Sequence, residues 1–188
     1  MAHIPLEAAP YERVQRCLNA WETIGAGKTV LNWIKYGYRL PFKKQILPFF
    51  HKPRIFSEAE NQAIKEIKIK LLQLGAIKKT EDASYVSRSR LEPKKDGGYR
   101  LVVDLRHVNE HLHPQACKYE TLQDLQLIIK RNDWMISADL QDGYYHVGIH
   151  PSHQRFLTTL IDGELYSFKA LPFGLSTAPR VFTKFVRP

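Results

Sequence analysis

The chain has 188 residues, a length that suits one domain, and 44% of them are hydrophobic, enough for a buried core. Its formal net charge of +9, with a pI near 9.5, favours a polyanionic partner, of which nucleic acid is the common one. No apolar run approaches the roughly 20 residues a membrane helix requires. The N-terminus lacks a basic stretch followed by an apolar one, and two cysteines fit a reducing intracellular compartment rather than a disulfide framework.

Taken in order, the first twenty residues predict a short lead-in helix over Tyr11–Asn19. From Thr23 to Ser57 there is no acidic residue, yet Lys28, Lys35, Arg39, Lys43, Lys44, Lys52 and Arg54 occur there, interleaved with Trp33, Tyr36, Tyr38, Phe42, Phe49 and Phe50. Cations hold phosphates and aromatic faces stack on bases; equally, the aromatics can be core and the cations a solvated rim. Pro41, Pro48 and Pro53 predict an extended arm over 40–56. Residues 1–56 therefore read as a basic, helical and extended N-terminal arm, and 57–188 as the main body.

Ser57 with Glu60 is a capping-box pattern. It opens a helix whose apolar stripe is Ile64, Ile67, Leu71 and Leu74 and whose cap is Gly75. The period then shifts to two. Ser84–Leu91 and Tyr99–Leu105 predict a hairpin around Asp96-Gly97, with Lys94 and Lys95 at its tip. Thr121 opens a second helix with Leu122, Leu125, Ile128 and Ile129 on one face. Trp134–Leu140 predicts a buried strand ending in Asp139-Leu140. Tyr145–Ile149, Arg155–Leu160 and Leu165–Ala170 are further strand candidates, with Asp162-Gly163 as a turn. Ser176–Pro188 predicts a helix with Val181, Phe182, Phe185 and Val186 as its stripe. No partner element for that stripe is evident, which suggests a longer natural molecule. Strands and helices around a mixed sheet give an α+β class.

Asp139 stands out chemically. A carboxylate leaving a buried strand needs water, a partner or a cation, and Mg²⁺ uses one or two carboxylates with waters and phosphates. An Asp capping the following turn explains the same position. Lys94, Lys95 and Arg100 bracket a glycine turn and could close on a triphosphate, although such hairpins are usually solvated edges. Gly25-Ala26-Gly27-Lys28-Thr29 lacks the leading glycine of a phosphate-binding loop, since Glu22 stands there. His107, His111, His113 and Cys117, or His146, His150 and His153, do not show the two regular ligand pairs of a zinc site.

Four segments in order resemble the motifs of reverse transcriptases from LTR-type retroelements. They are Lys94-Lys95-Asp96-Gly97-Gly98-Tyr99-Arg100, Val103-Asp104-Leu105-Arg106-His107-Val108-Asn109, the run from Ser137 to Val147, and the run from Ala170 to Pro179. Trp21, Leu40-Pro41-Phe42 and Pro179–Phe185 look most like DIRS-like retrotransposons. The resemblance implies the fingers and first part of the palm of a right-hand polymerase. It also implies two-metal nucleotidyl transfer with Mg²⁺ (or Mn²⁺), and RNA template, DNA primer and deoxynucleoside triphosphates as partners, with no membrane. By position, Asp139 and the Leu140 carbonyl match the metal ligands. Lys94, Lys95, Arg100 and the backbone of Asp142 and Gly143 match the triphosphate contacts. Tyr144 matches the filter against a ribose 2′-hydroxyl, and Phe173 the floor under the incoming base. Asp104, Arg106, Asn109 and Gly174 match the template and primer stretch. The family's second motif, Tyr-x-Asp-Asp, has no counterpart, because no Asp-Asp pair occurs in this sequence. The remaining palm, thumb and RNase H parts would belong to a longer polyprotein. A non-catalytic nucleic-acid-binding remnant and a structural interaction domain are the alternative readings.

Overall fold

The computed structural model describes residues 8–95, 97–119 and 121–187. Asp96 of the expected hairpin tip and Pro188 of the expected final helix lie outside the described residues.

The lead-in helix is broken into α1 (Pro10–Arg16) and α2 (Leu18–Thr23), with Cys17 between them. Sequence reading gives no helix for the acid-free stretch, but α3 (Lys28–Tyr36) forms there. Val30 and Ile34, four apart, bury one face of it. The ambiguity over the aromatics resolves mainly toward core. Tyr38 is buried and Trp33, Phe42 and Phe49 are half-buried, whereas Lys28, Lys35, Arg39, Lys43, Lys44, Lys52 and Arg54 are all exposed. Tyr36 and Phe50 stay exposed among those cations.

Helix α4 (Glu58–Gln73) starts at the expected capping box: Ser57 N–H donates to the Glu60 carboxylate at 2.9 Å and Glu60 N–H to Ser57 Oγ at 3.3 Å. Gly75 ends it at φ 60°, the left-handed cap that glycine adopts without a Cβ penalty.

Among the described residues there is one mixed sheet. β1 (Phe49–Phe50), β3 (Tyr85–Pro93), β5 (Thr158–Ile161), β6 (Glu164–Phe168) and β2 (Ile77–Lys79) run across it in the order β1-β3-β5-β6-β2. β1–β3 and β3–β5 are parallel; β5–β6 and β6–β2 are antiparallel. The long strand β3 leaves this path in its second half, where Arg88–Pro93 pair antiparallel with β4 (Tyr99–Asp104) to make the expected hairpin. Asp162 (φ 51°) and Gly163 (φ 75°) supply the left-handed pair that the tight β5–β6 turn needs.

Several expectations are corrected. Tyr145–Ile149 is not a strand: Gly143–His146 is a 3₁₀ turn, and Ile149 makes only an isolated bridge to Tyr38. Arg155–Leu160 is half 3₁₀ helix, because Pro151 sets φ for a helical start and Pro151–Leu157 follow it before β5 begins. The buried strand over Trp134–Leu140 does not form. Residues 131–140 are exposed, Trp134 and Ile136 at 101% and 99%. A strand persists where a neighbour takes its N–H and C=O groups, and no described strand runs beside this one. A short helix, α5 (Arg106–Asn109), follows β4, and helix α6 (Leu122–Ile128) keeps its capping box of Thr121 and Asp124 but leaves Leu122, Leu125, Ile128 and Ile129 exposed. Finally, the stripe of α7 (Ala178–Phe185) does have a partner. Val181 and Phe185 are buried, and Trp21 of α2 packs on Phe185 with ring centroids 4.9 Å apart.

Val30, Ile34, Tyr38, Leu40 and Ile46 join the same hydrophobic core as Leu91, Leu101, Tyr166 and Val181. Two histidines tie this N-terminal segment to the body. Leu40 N–H donates to His153 Nδ1 at 3.0 Å, and the Arg39 guanidinium meets His150 Nε2 at 2.7 Å. Both contacts need an unprotonated ring nitrogen. Burial and the Arg39 charge hold both histidines below the ordinary 6.5. A histidine with a depressed folded pKa binds protons more readily when unfolded, so its stabilisation is complete above about 6.5 and is lost as pH falls below it. The melting temperature is therefore expected to fall between pH 7.5 and 5.5, above the range where the carboxylates titrate. His153→Gln, measured by thermal denaturation across that window, should flatten part of the fall; an unchanged slope would remove His153 from the account.

Candidate active site

A cleft of about 790 Å³ opens between α4, the β3–β4 hairpin and the turn after Asp139. The hairpin contributes Lys94, Lys95 and Arg100; the turn contributes Asp139, Leu140, Asp142 and Gly143; the loop after β6 contributes Phe173. Residues separated by some 45 positions in the sequence thus face one space. A second concavity of about 510 Å³ adjoins it and shares Asp139, Leu140, Gly143 and Phe173, adding Tyr144, Phe182 and Val186.

The hairpin is aimed by its turn chemistry. Lys94 N–H donates to the Gly98 carbonyl at 3.1 Å, and Gly97 and Gly98 take φ of 84° and 75°. Arg100 is fixed by stacking, its guanidinium carbon 4.6 Å from the centroid of Phe173, a contact that a planar delocalised cation makes well. Phe173 also meets Tyr144 (centroids 5.1 Å) and Tyr145 (6.2 Å), and Tyr144 meets Phe182 (5.4 Å). This aromatic cluster joins the hairpin cation to the expected sugar filter. Burial raises the phenol pKa of both Tyr144 and Tyr145, so both stay neutral.

Asp139 is exposed, and among the described residues it makes no hydrogen bond or ion pair. It is not a turn cap, because the turn that follows has no side-chain cap. Asp142 starts that turn in the left-handed region, φ 52° and ψ 37°, which Asp tolerates better than most residues. Gly143 leaves room for the Phe182 ring: a Cβ there would lie 2.7 Å from it, so a larger residue requires that ring to shift.

Four sequence-expected residues lie outside both concavities. Asp104 and Arg106 form a two-point ion pair, with Nε and Nη2 at 2.8 and 2.7 Å from the carboxylate oxygens. The guanidinium holds the Asp104 pKa at about 2. Asn109 clamps the loop after β6: its Nδ2 donates to the Gly174 carbonyl at 2.9 Å and its Oδ1 accepts from Ser176 N–H at 2.9 Å. Gly174 takes φ 108° and lies against β4.

Sequence reasoning missed four of the cleft's charged or aromatic residues, Tyr145 among them. Lys70 of α4, Glu92 and Tyr99 all line it. Lys70 Nζ lies 3.0 and 2.9 Å from the two Asp142 carboxylate oxygens, and Glu92 is engaged by Arg90 at 2.8 Å. The 3.6-residue period marks Lys70 only as solvent-facing; nothing local in the sequence says what that face looks onto.

The chain aligns over 149 residues, at 25% identity, with the Transposon Tf2-3 polyprotein of Schizosaccharomyces pombe (strain 972 / ATCC 24843), and at 24% with the Tf2-7 polyprotein; each alignment takes in 79% of this chain. It spans about a tenth of the length of those polyproteins. Its fold is similar to the crystal structure of the prototype foamy virus protease-reverse transcriptase, with a TM-score of 0.67 at 19% identity over 99% of this chain and 28% of that one. The foamy viral protease-reverse transcriptase dRH in complex with double-stranded DNA gives 0.70 at 17% identity, over 99% of this chain and 37% of that one. Residues 92–188, more than half of the chain and all of the site segments after β3, match the family model described as reverse transcriptase (RNA-dependent DNA polymerase), and the chain belongs to that family.

Proposed function

We propose that this chain supplies the nucleotide-binding side of a template-directed DNA polymerase that adds deoxynucleotides to a primer 3′-hydroxyl. The observation that carries this reading is the shared cleft, in which an unpartnered Asp139 faces Lys94, Lys95 and Arg100. Three cations opposite one free carboxylate suit a triphosphate with its divalent cation better than either alone.

The donor set fits a hard cation in part. The Asp139 carboxylate and Leu140 carbonyl are oxygen ligands, and Mg²⁺ or Mn²⁺ completes its shell with waters and phosphate oxygens. Such a cation would polarise the phosphate and offset charge developing on it. One free carboxylate does not hold two ions, and Asp142 and Glu92 are engaged by Lys70 and Arg90. A Tyr-x-Asp-Asp segment must therefore join this chain for catalysis. Within the chain, Lys94, Lys95 and Arg100 neutralise the triphosphate, and the N–H groups of Asp142 and Gly143 face its oxygens. Tyr144 closes the space beside the sugar, and Phe173 floors the base. Asp104, Arg106, Asn109 and Gly174 set the loop and strand on which an RNA template and DNA primer would rest. The DNA complex of the foamy viral relative supports a nucleic-acid partner. A DIRS-like origin rests only on Trp21, Leu40–Phe42 and Pro179–Phe185.

The test is metal-dependent incorporation by an extended polypeptide that joins this chain to a Tyr-x-Asp-Asp segment and thumb. Incorporation supports the polymerase reading. Salt-sensitive nucleic-acid binding without incorporation supports the non-catalytic remnant. In the same polypeptide, Tyr144→Ala is expected to raise ribonucleotide use relative to deoxynucleotide use at least about tenfold, roughly 1.4 kcal/mol in relative barrier. Unchanged sugar selection would take the filter role from Tyr144.

A further inference from the structure

We infer that Lys70 is a positioning residue of the cleft, acting through Asp142; the inference rests on the triphosphate reading above. The segment that carries Asp139 has little else to hold it. Residues 131–140 are exposed and belong to no sheet, and α6 before them stands off the core. Asp139 is thus located from its C-terminal side, by the turn at Asp142 and Gly143. Besides its own Tyr145 N–H to Asp142 carbonyl bond of 2.9 Å and the buried Tyr145 side chain, two contacts from other helices bear on that turn. Gly143 lies under the Phe182 ring, and the Asp142 carboxylate is gripped through both oxygens by Lys70, at 3.0 and 2.9 Å, from the rigid helix α4. The Lys70 side chain is half exposed, and an ion pair so exposed contributes little to global stability. Its effect lies in geometry and charge.

The charge argument is specific. The cleft is lined by Lys70, Lys94, Lys95 and Arg100 and by Asp139, Asp142 and Glu92. Arg90 takes Glu92 from outside, and Lys70 takes Asp142. What remains is three cations against Asp139, a balance that attracts a polyphosphate. Without Lys70 a bare carboxylate would sit beside the backbone on which the phosphates are to lie, repelling them. It would also be free to turn away from its left-handed conformation. Lys70 therefore masks Asp142 and fixes the turn.

The chain itself can be tested by calorimetric titration with dATP in the presence of Mg²⁺, with thermal melting as a check on folding. Lys70→Met, which keeps length and removes charge, should weaken dATP binding about tenfold while the melting temperature stays within about two degrees. Lys70→Arg should restore most of the affinity. Lys70→Met combined with Asp142→Asn should also restore most of it, because the unmasked carboxylate is gone; a merely structural lysine would not be rescued by deleting its partner. Wild-type affinity in Lys70→Met overturns the inference. So does a double variant no better than Lys70→Met, which would make Lys70 a direct phosphate contact. If the unaltered chain binds no dATP, the triphosphate reading falls and this inference falls with it, a failure visible before any variant is compared.

Discussion

Asp139→Asn is expected to abolish nucleotide incorporation by the extended polypeptide while leaving template binding largely intact. The substitution keeps the shape of the side chain and removes its charge. Asp139 is exposed and makes no hydrogen bond or ion pair with its described surroundings, so nothing in the fold depends on that charge and stability should hold within about 0.5 kcal/mol. Its charge matters for a divalent cation held between the carboxylate, the Leu140 carbonyl and the phosphates. If the cation supplies about 4 kcal/mol of stabilisation to the developing charge, its loss slows the chemical step about a thousandfold. Single-turnover incorporation with Mg²⁺, compared with template binding at fixed salt, separates the two effects. Incorporation by the Asn variant at the parental rate would remove Asp139 from the reaction.

Gly174→Ala is expected to be the most damaging single-methyl change at the site. Gly174 has φ 108°, and an added Cβ would lie 2.0 Å from the Val103 carbonyl oxygen on β4. That oxygen is backbone and cannot turn aside. The loop is held against β4 there by Val103 N–H donating to the Phe173 carbonyl at 3.1 Å, and by Asn109 on the Gly174 carbonyl. The methyl must break these contacts or distort the strand. Gly163→Ala is the internal comparison. It also has a positive φ of 75°, but a Cβ there meets nothing within 4 Å. It should cost about 1 kcal/mol of backbone strain alone, against about 3 kcal/mol or more for Gly174→Ala. Urea denaturation of both variants measures the difference, and equal midpoints would show that the close approach to Val103 is not a constraint. Because Phe173 precedes Gly174, the stacking of Arg100 should be lost with it.

Where the sequence was legible, short-range chemistry decided the outcome. The capping box at Ser57, the glycine cap at Gly75, the Asp162-Gly163 turn and the β3–β4 hairpin each depend on neighbours a few residues apart, and each formed. The ordered motifs revealed the family for the same reason, since each is a local run of residues. The misses share the opposite property. α3 carries its apolar positions in a stretch whose cations and prolines obscure the period, and its burial is set by segments far along the chain. Trp134–Leu140 has strand composition but, among the described residues, no neighbour to pair with. Apolar residues signal that a segment will be covered; they do not say by what. Lys70 was invisible because only the fold brings α4 to the turn at Asp142. The roles given to Asp104, Arg106 and Asn109 came from resemblance, and the geometry adds that Asp104 and Arg106 brace each other while Asn109 braces the Gly174 loop.

The packing of Trp21 against Phe185 bears on how the polypeptide acquires its shape during synthesis. Helices α1 and α2 leave the ribosome well before α7 has been translated. Closing a loop that spans almost the whole sequence is entropically unfavourable and therefore late. Trp21 must wait for its Phe185 partner until α7 emerges, and the nascent chain is most exposed to misassociation during that interval.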